Sequence, residues 1–179
     1  KNNFILLSVF LVFLGLGLIR SQDAFKNDFN TIAFQGDGHG TIADFAAYNK
    51  TFNEVGFWQL LVDRWHPKFG GGYSAPKHMN LFWRITILSL SKLEPDDIYD
   101  VCVVLLFILN GMSSFLLARY LKLNQYYSFL IAMFVVSLGD FDFRITGHLN
   151  LAAYFGFILA IILLLEVTKN PTSLKKTIL

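Results

Sequence analysis

Long apolar runs separated by polar stretches dominate the pattern of the chain. Residues 4–19 form the first run, residues 98–118 the second and residues 149–167 the last. A further run over residues 127–138 reaches similar length only with residues borrowed from its flanks. A helix needs about 20 mainly apolar residues to cross the hydrocarbon core of a bilayer. The pattern therefore predicts an all-α integral membrane protein with about four transmembrane helices.

The first run has two interpretations. Lys1 precedes it and Arg20 follows it, as expected for a transmembrane helix over residues 1–20. A cleavable signal peptide is the alternative, because it also carries an apolar run behind a basic start. The run is longer than a usual signal core and no A-x-A-like cleavage site follows it, so the transmembrane helix is favoured.

Residues 21–97 are much more polar and are predicted to form one large loop outside the membrane. Within this loop, apolar residues recur every three or four positions from Phe45 to Val62, which predicts an amphipathic helix over residues 41–65. We expect it to lie flat against the membrane domain, with its apolar face on lipid headgroups or on neighbouring protein. Residues 69–76 contain three glycines and a proline and are predicted to be a loop, and residues 79–93 a second short helix.

Basic residues predict the orientation. They follow the second and fourth runs, so the positive-inside rule places those two ends in the cytoplasm. Residues 98–179 then contain the second to fourth helices, with a short polar turn at residues 139–150 on the outer side, and the large loop is extracytoplasmic. The basic residues in question are Arg119, Lys122, Lys169, Lys175 and Lys176.

Composition excludes several classes of protein. The chain of 179 residues is 54% apolar and only 16% charged, which argues against a water-soluble domain. A net charge of +2 without a basic stripe argues against nucleic acid as a partner. The single cysteine, Cys102, cannot form an internal disulfide. No G-x-S-x-G, HExxH, Walker A or CxxC motif is present. The sequence therefore lacks the catalytic motifs expected of soluble hydrolases, metalloproteases and ATPases.

Asp37 is the candidate general base. It lies in the segment Gly36-Asp37-Gly38-His39-Gly40 of the large loop, where flanking glycines let a ligand approach the backbone closely. A carboxylate in such a segment can accept a proton. The alternative is an ordinary Asp-Gly turn, in which Asp37 accepts a hydrogen bond from its own backbone.

The polar turn at residues 139–150 is the second candidate. Arg144 and His148 could bind a phosphate at the edge of the bilayer, where ionisable groups are costly without a partner or a use. The alternative is a solvated Asp-Arg pair of little energetic value. Asp140 and Asp142 have the alternate spacing of an oxygen-ligand site, so a divalent metal such as Mg²⁺ or Mn²⁺ is a possible cofactor.

Aromatic and histidine residues accompany the glycine-rich loop. Trp65 and His66 precede it, Tyr73 lies within it and His78 follows it. Flat aromatic faces of this kind stack on sugars, although each residue alone is more often an interfacial anchor than a ligand contact.

The order of these features resembles the N-terminal part of the membrane glycosyltransferases of GT-C type, and within them the YfhO-like group of bacterial multispanning proteins. The matching segments are Gly36-Asp37-Gly38, Trp65-His66-Pro67 with Gly70-Gly71-Gly72, and Gly147-His148-Leu149-Asn150-Leu151. Where this group has W-N-P and a following N-P, the chain has Trp65-His66-Pro67 and Ala75-Pro76. The resemblance covers residues 4–166 through short motifs.

The resemblance implies inverting transfer of a sugar from a polyprenyl-phosphate donor to an acceptor on the outer face of a bacterial plasma membrane. It implies that Asp37 is the general base, that Arg144, His148 and Arg84 bind the donor phosphate, and that His39, Trp65, His66, Tyr73 and His78 contact the sugar or acceptor. Partners would be membrane lipid and the lipid-linked sugar. Because the family has more spans, we expect the chain to be part of a longer protein, continued by further chain or other membrane subunits.

Two other functions remain open. The chain could be a non-enzymatic membrane subunit whose outer loop contacts proteins of a larger assembly. A transporter fragment is less favoured, because the predicted spans carry no ionisable residue near their centres.

Overall fold

The computed structural model describes residues 2–26, 46, 65–66, 73–74, 86, 89–90, 92–137 and 152–169. These residues contain four helices: α1 at Asn2–Lys26, α2 at Pro95–Tyr120, α3 at Gln125–Val136 and α4 at Tyr154–Lys169. Two short strands, β1 at Trp65–His66 and β2 at Tyr73–Ser74, form an antiparallel pair.

All four apolar runs contribute a helix, which confirms the helical character of the chain. The segments Asn3–Ser21 and Asp97–Tyr120 are long and apolar enough to cross a membrane, whereas α3 is shorter. The helix bounds differ most from the sequence prediction at two places. Helix α1 continues past Arg20 to Lys26, and the fourth run is interrupted at Ala153, so that α4 begins at Tyr154.

Local chemistry explains where α2 begins and ends. Pro95 occupies its first turn, where a missing N–H group costs no hydrogen bond, and Asp97 lies near the positive end of the helix dipole. At the other end, Lys122 has a φ of 65°. The Lys122 N–H donates to the Arg119 carbonyl and the Leu123 N–H to the Ala118 carbonyl, which is the Schellman arrangement.

The turn between α2 and α3 is closed by side chains. The Asn124 Oδ1 atom accepts a 3.0 Å hydrogen bond from the Tyr127 N–H and so caps α3. Arg119 Nη1 donates to the Leu123 carbonyl at 2.6 Å. These bonds reverse the chain within a few residues, so α3 returns along α2.

Helices α1 and α2 pack closely and run antiparallel. A Cβ atom on Gly17 would lie 3.0 Å from the Cα atom of Val104, and one on Gly111 would lie 2.5 Å from the Phe13 ring. Successive contacts thus move forward along α1 and backward along α2. The two glycines are needed here because they let the neighbouring helix approach.

The contacts of α3 and α4 with the first two helices show how α3 and α4 are oriented relative to α2. Phe13, which packs on Gly111, also meets Phe129 of α3, with ring centroids 6.3 Å apart. Asn110 bonds to the chain beside the start of α4, and Tyr120 bonds to Glu166 near its end, so α2 and α4 are parallel. Consecutive helices therefore alternate in direction.

Burial is concentrated on α2. Its first half is buried on all sides, since consecutive residues from Ile98 to Asp100 and from Cys102 to Val104 are buried. In α4, by contrast, no residue is buried, and α1 and α3 also expose large apolar side chains. Among the most exposed are Phe4, Leu7, Ile19, Phe134, Phe157, Leu163 and Leu164.

The strand pair corrects two details of the predicted outer loop. Trp65 was expected at the end of an amphipathic helix and Tyr73 in a structureless loop, but both belong to strands. Trp and Tyr favour strands, because their side chains pack well on a pleated surface. Of the remainder of the predicted 41–65 helix, the structure describes only Ala46, which is helical.

Candidate functional site

The strand pair is the one part of the predicted outer-face site that lies within the described residues. Its register places His66 directly opposite Tyr73 and Trp65 opposite Ser74. Three predicted sugar-contact residues are therefore neighbours on one hairpin. The other predicted site residues lie outside the described residues, namely Asp37, His39, His78, Arg84, Asp140, Asp142, Arg144 and His148.

The helix directions mean that both polar segments connect helices from the side of the bundle away from Arg119, at different depths. Gly17 of α1 packs against Val104 of α2. From this contact α1 continues for about 14 Å to Lys26, and the antiparallel α2 extends about 14 Å in the same direction to Pro95. The large loop is thus attached at one end of the bundle. Helix α3 runs toward that end and α4 runs away from it, so residues 138–151 connect two helices on the side away from Arg119. The start of α4 lies at the level of Asn110, about halfway along α2.

Asn110 forms a polar bridge in the middle of this apolar bundle. Its side chain is fully buried, its Nδ2 atom donates to the Ala152 carbonyl at 2.7 Å, and its Oδ1 atom accepts from the Phe155 N–H at 2.7 Å. In an unbroken helix these backbone groups would find partners within their own helix. Asn110 therefore satisfies the backbone where the fourth run is interrupted at Ala153.

The polar strip around Asn110 continues along α2. Ser113 and Ser114 lie three and four residues further on and are also buried, so the three side chains share one face of the helix. The Ser113 Oγ atom donates to the Asn110 carbonyl at 3.2 Å. Ser114 Oγ has no hydrogen-bond partner among the described residues. Helix α2 thus carries a short buried polar face, of which Asn110 contacts the start of α4.

Asp100 is a buried acidic residue of α2 and is only 2% exposed. In the sequence it follows Asp96 and Asp97 at the start of the second run, a position typical of a polar boundary. The α1–α2 packing puts Arg20 of α1 at about the level of Asp100, and Ser21 next to Arg20 is fully buried. Both Arg20 and Asp100 have interaction partners. A buried carboxylate needs such partners, because removing a charge from water is costly.

A sequence signal for these residues existed. Asn110 is a strongly polar residue within the apolar run 98–118, followed by two serines at helical spacing. Polar residues in such a run usually face the interior of a helix bundle. The partner of Asn110 could not be identified in this way, because the backbone groups that it binds are more than 40 residues away along the chain.

The opposite end of the bundle carries basic and aromatic residues. Tyr120 donates from its hydroxyl group to Glu166 Oε2 at 2.7 Å, and the Lys169 ammonium lies 3.9 Å from the centre of the Tyr120 ring. These contacts join the last turn of α2 to the last turn of α4. Exposed Arg119 and Lys122 lie at the same end.

Within the described residues, no group of three or more His, Cys, Asp or Glu side chains could hold a metal ion. The predicted Asp140/Asp142 metal site lies outside these residues and stays a prediction. No protein family, curated protein or solved structure matches the chain.

Proposed function

We propose that the chain is the N-terminal membrane part of a GT-C-type glycosyltransferase, which transfers a sugar from a polyprenyl-phosphate donor on the outer face of a bacterial plasma membrane. Membrane embedding is supported by the large apolar side chains exposed on α1, α3 and α4. In water such a surface would favour aggregation, whereas in a bilayer it contacts acyl chains. On this proposal all four apolar helices lie in the membrane.

The enzymatic proposal rests on one observation: both polar segments are connected to the helices on the same side of the bundle. The loop with Asp37 and the segment with Arg144 and His148 are attached on the side of the bundle opposite Arg119, Lys122 and Lys169. This arrangement supports their meeting on the extracytoplasmic face, because basic residues favour the cytoplasmic side.

The proposed chemistry divides the residues by role. Asp37 takes the proton of the acceptor hydroxyl as that oxygen attacks the anomeric carbon, and the bond from this carbon to the lipid phosphate breaks. Arg144 and His148, with Arg84, stabilise the leaving phosphate through charge-assisted hydrogen bonds. The pairing of His66 with Tyr73 supports their joint contact with the sugar or acceptor. Asp140 and Asp142 are the proposed ligands if a divalent metal assists.

One observation favours the alternative of a non-enzymatic membrane subunit. Helix α4 has no buried residue, which leaves its whole apolar surface for lipid or for other helices. A subunit of a larger assembly would use that surface to bind its partners. Further helices of the same chain would cover it equally well in an enzyme, so activity must separate the two proposals.

The test is sugar transfer by the full-length protein in membranes that contain polyprenyl-phosphate sugar. Asp37→Asn keeps the shape of the side chain and removes the base, so we expect transfer to fall by a factor on the order of 10². Asp28→Asn, in the same loop, is the matched control and should leave transfer unchanged. Full activity of Asp37→Asn, or failure of the wild-type protein to bind the donor, would favour the subunit.

A further inference from the structure

The basic end of the bundle contains a groove with apolar side chains along its wall and a cationic side chain at its opening. A cavity of about 180 Å³ lies between the first turns of α1 and the turn that connects α2 to α3. Ile5, Leu6, Phe115 and Leu116 form its apolar wall, and Arg119 and Gln125 close its polar end.

A second, wider cavity of about 460 Å³ adjoins the first through the shared residues Arg119 and Gln125. Its other lining residues are Asn124 and Tyr126, which offer amide and hydroxyl donors. A molecule that occupies both cavities would contact apolar side chains in the first and hydrogen-bond donors in the second. That division matches a phospholipid, with an acyl chain in one cavity and a phosphate in the other.

The charge of this end favours an anionic headgroup. Among the described residues at this end of the bundle, the basic side chains are Arg119, Lys122 and Lys169. The acidic one at this end is Glu166, which already accepts a hydrogen bond from Tyr120. The Arg119 bond to Leu123 uses one of the five N–H donors of a guanidinium, and the others suit phosphate oxygens. Basic pockets between transmembrane helices bind anionic lipid headgroups in this way.

The residues beside the groove are of the types found where a transmembrane helix meets the lipid headgroups. Tyr126 and Tyr127 are strongly exposed, and their rings lie edge to face with centroids 5.7 Å apart. Tyrosines at headgroup level, next to arginine and lysine, are typical of transmembrane helix ends. We therefore propose that the α1–α2–α3 groove binds an anionic phospholipid of the cytoplasmic leaflet, with its phosphate on Arg119. The proposal rests on the membrane embedding proposed above and not on sugar transfer.

The experiment is native mass spectrometry of the detergent-solubilised chain titrated with phosphatidylglycerol or with phosphatidylcholine of the same acyl chains. We expect phosphatidylglycerol to bind at least tenfold more tightly, and Arg119→Gln to remove that preference. Lys169→Gln is the matched control, because Lys169 has the same charge at the same end but lies over Tyr120 outside the groove.

A second variant tests the apolar half without changing charge. Leu116 is 41% exposed, so Leu116→Trp can fill the groove without disturbing the core, and it should weaken phosphatidylglycerol binding several-fold. Glycerophosphoglycerol, which lacks acyl chains, distinguishes a lipid site from a phosphate site and should bind far more weakly. Equal binding of both lipids, equal loss in Lys169→Gln, or equal binding of the soluble headgroup would overturn the proposal. Failure of the chain to insert into vesicles would instead refute the membrane embedding.

Discussion

At the scale of single residues, Asn110 is the side chain on which the interruption of the fourth apolar run depends. It supplies one donor and one acceptor to backbone groups that a continuous helix would satisfy internally. Its orientation is defined, because a carbonyl must face the amide nitrogen and an N–H group must face the amide oxygen. One polar residue of α2 therefore sets where α4 begins.

Replacing Asn110 by leucine should destabilise the protein strongly. Asn110→Leu leaves the Ala152 carbonyl and the Phe155 N–H without these bonds, and each buried polar group left unsatisfied costs about 1–3 kcal/mol. Ser113→Ala is the control, since Ser113 bonds only to a carbonyl of its own helix among the described residues. Thermal unfolding in detergent should show a large loss for Asn110→Leu and a small one for Ser113→Ala. Equal stability of the two variants would contradict the bridge.

The role of Asn110 also shows what single residues in a sequence can and cannot predict. Its polarity within an apolar run indicates a residue that faces the interior of a bundle. Its partners depend on how α2 and α4 pack, which no local pattern specifies. Asp100 shows a related limit: the acidic residues next to it in the sequence indicate a helix end, whereas its burial is set by the surrounding elements.

At the scale of elements, α1 and α2 depend on small residues for their close approach. Gly111 faces the ring of Phe13, which is itself fully buried and packed against Phe129. The ring cannot move away cheaply, because protein interiors are close-packed. In a membrane, where lipid is as apolar as leucine, such packing is a main source of helix association.

Gly111→Ala should therefore be destabilising although alanine favours helices. The added Cβ atom would lie 2.5 Å from the Phe13 ring, and overpacking of a core costs about 1–3 kcal/mol. Gly15→Ala is the matched control on α1, since a Cβ atom there has no heavy atom within 4 Å, and it should be neutral or stabilising. Phe13→Leu should recover part of the loss in the Gly111→Ala background. Thermal unfolding of all four proteins measures these effects, and absence of a loss in Gly111→Ala would disprove the packing.

Whether a helix or strand can be predicted from sequence depends on how far apart in the sequence the interacting residues lie. An apolar run indicates a helix locally, and the helical character of the four runs is confirmed in this way. Trp65 and Tyr73 were assigned to a helix end and a loop, because an apolar period of three to four residues and a run of glycines were the local signals. Hydrogen bonding between the two strands outweighed both signals. Such pairing depends on which residues of the two strands face each other, and a local sequence pattern does not specify this.

At the scale of the whole molecule, the alternation of the helices and the distribution of charge agree. The starts of α1 and α3 and the ends of α2 and α4 lie together, and this end carries Arg119, Lys122 and Lys169. The catalytic and phosphate-binding residues predicted from sequence belong to the segments attached on the other side. Their mutual geometry lies outside the described residues, so the resemblance to GT-C enzymes stays a prediction, as does the count of four spans.

Orientation in the membrane can be tested with single cysteines at the two ends. Lys92 is exposed just before α2 and Gln125 is exposed at the start of α3, while the native Cys102 is fully buried and should not react. An impermeant thiol reagent on intact cells should label Lys92→Cys and leave Gln125→Cys unlabelled, because positive charge retains the Gln125 end in the cytoplasm. Permeabilised cells serve as the control and should label both variants. Labelling of Gln125→Cys alone on intact cells would invert the topology, and the face proposed for sugar transfer would then be cytoplasmic.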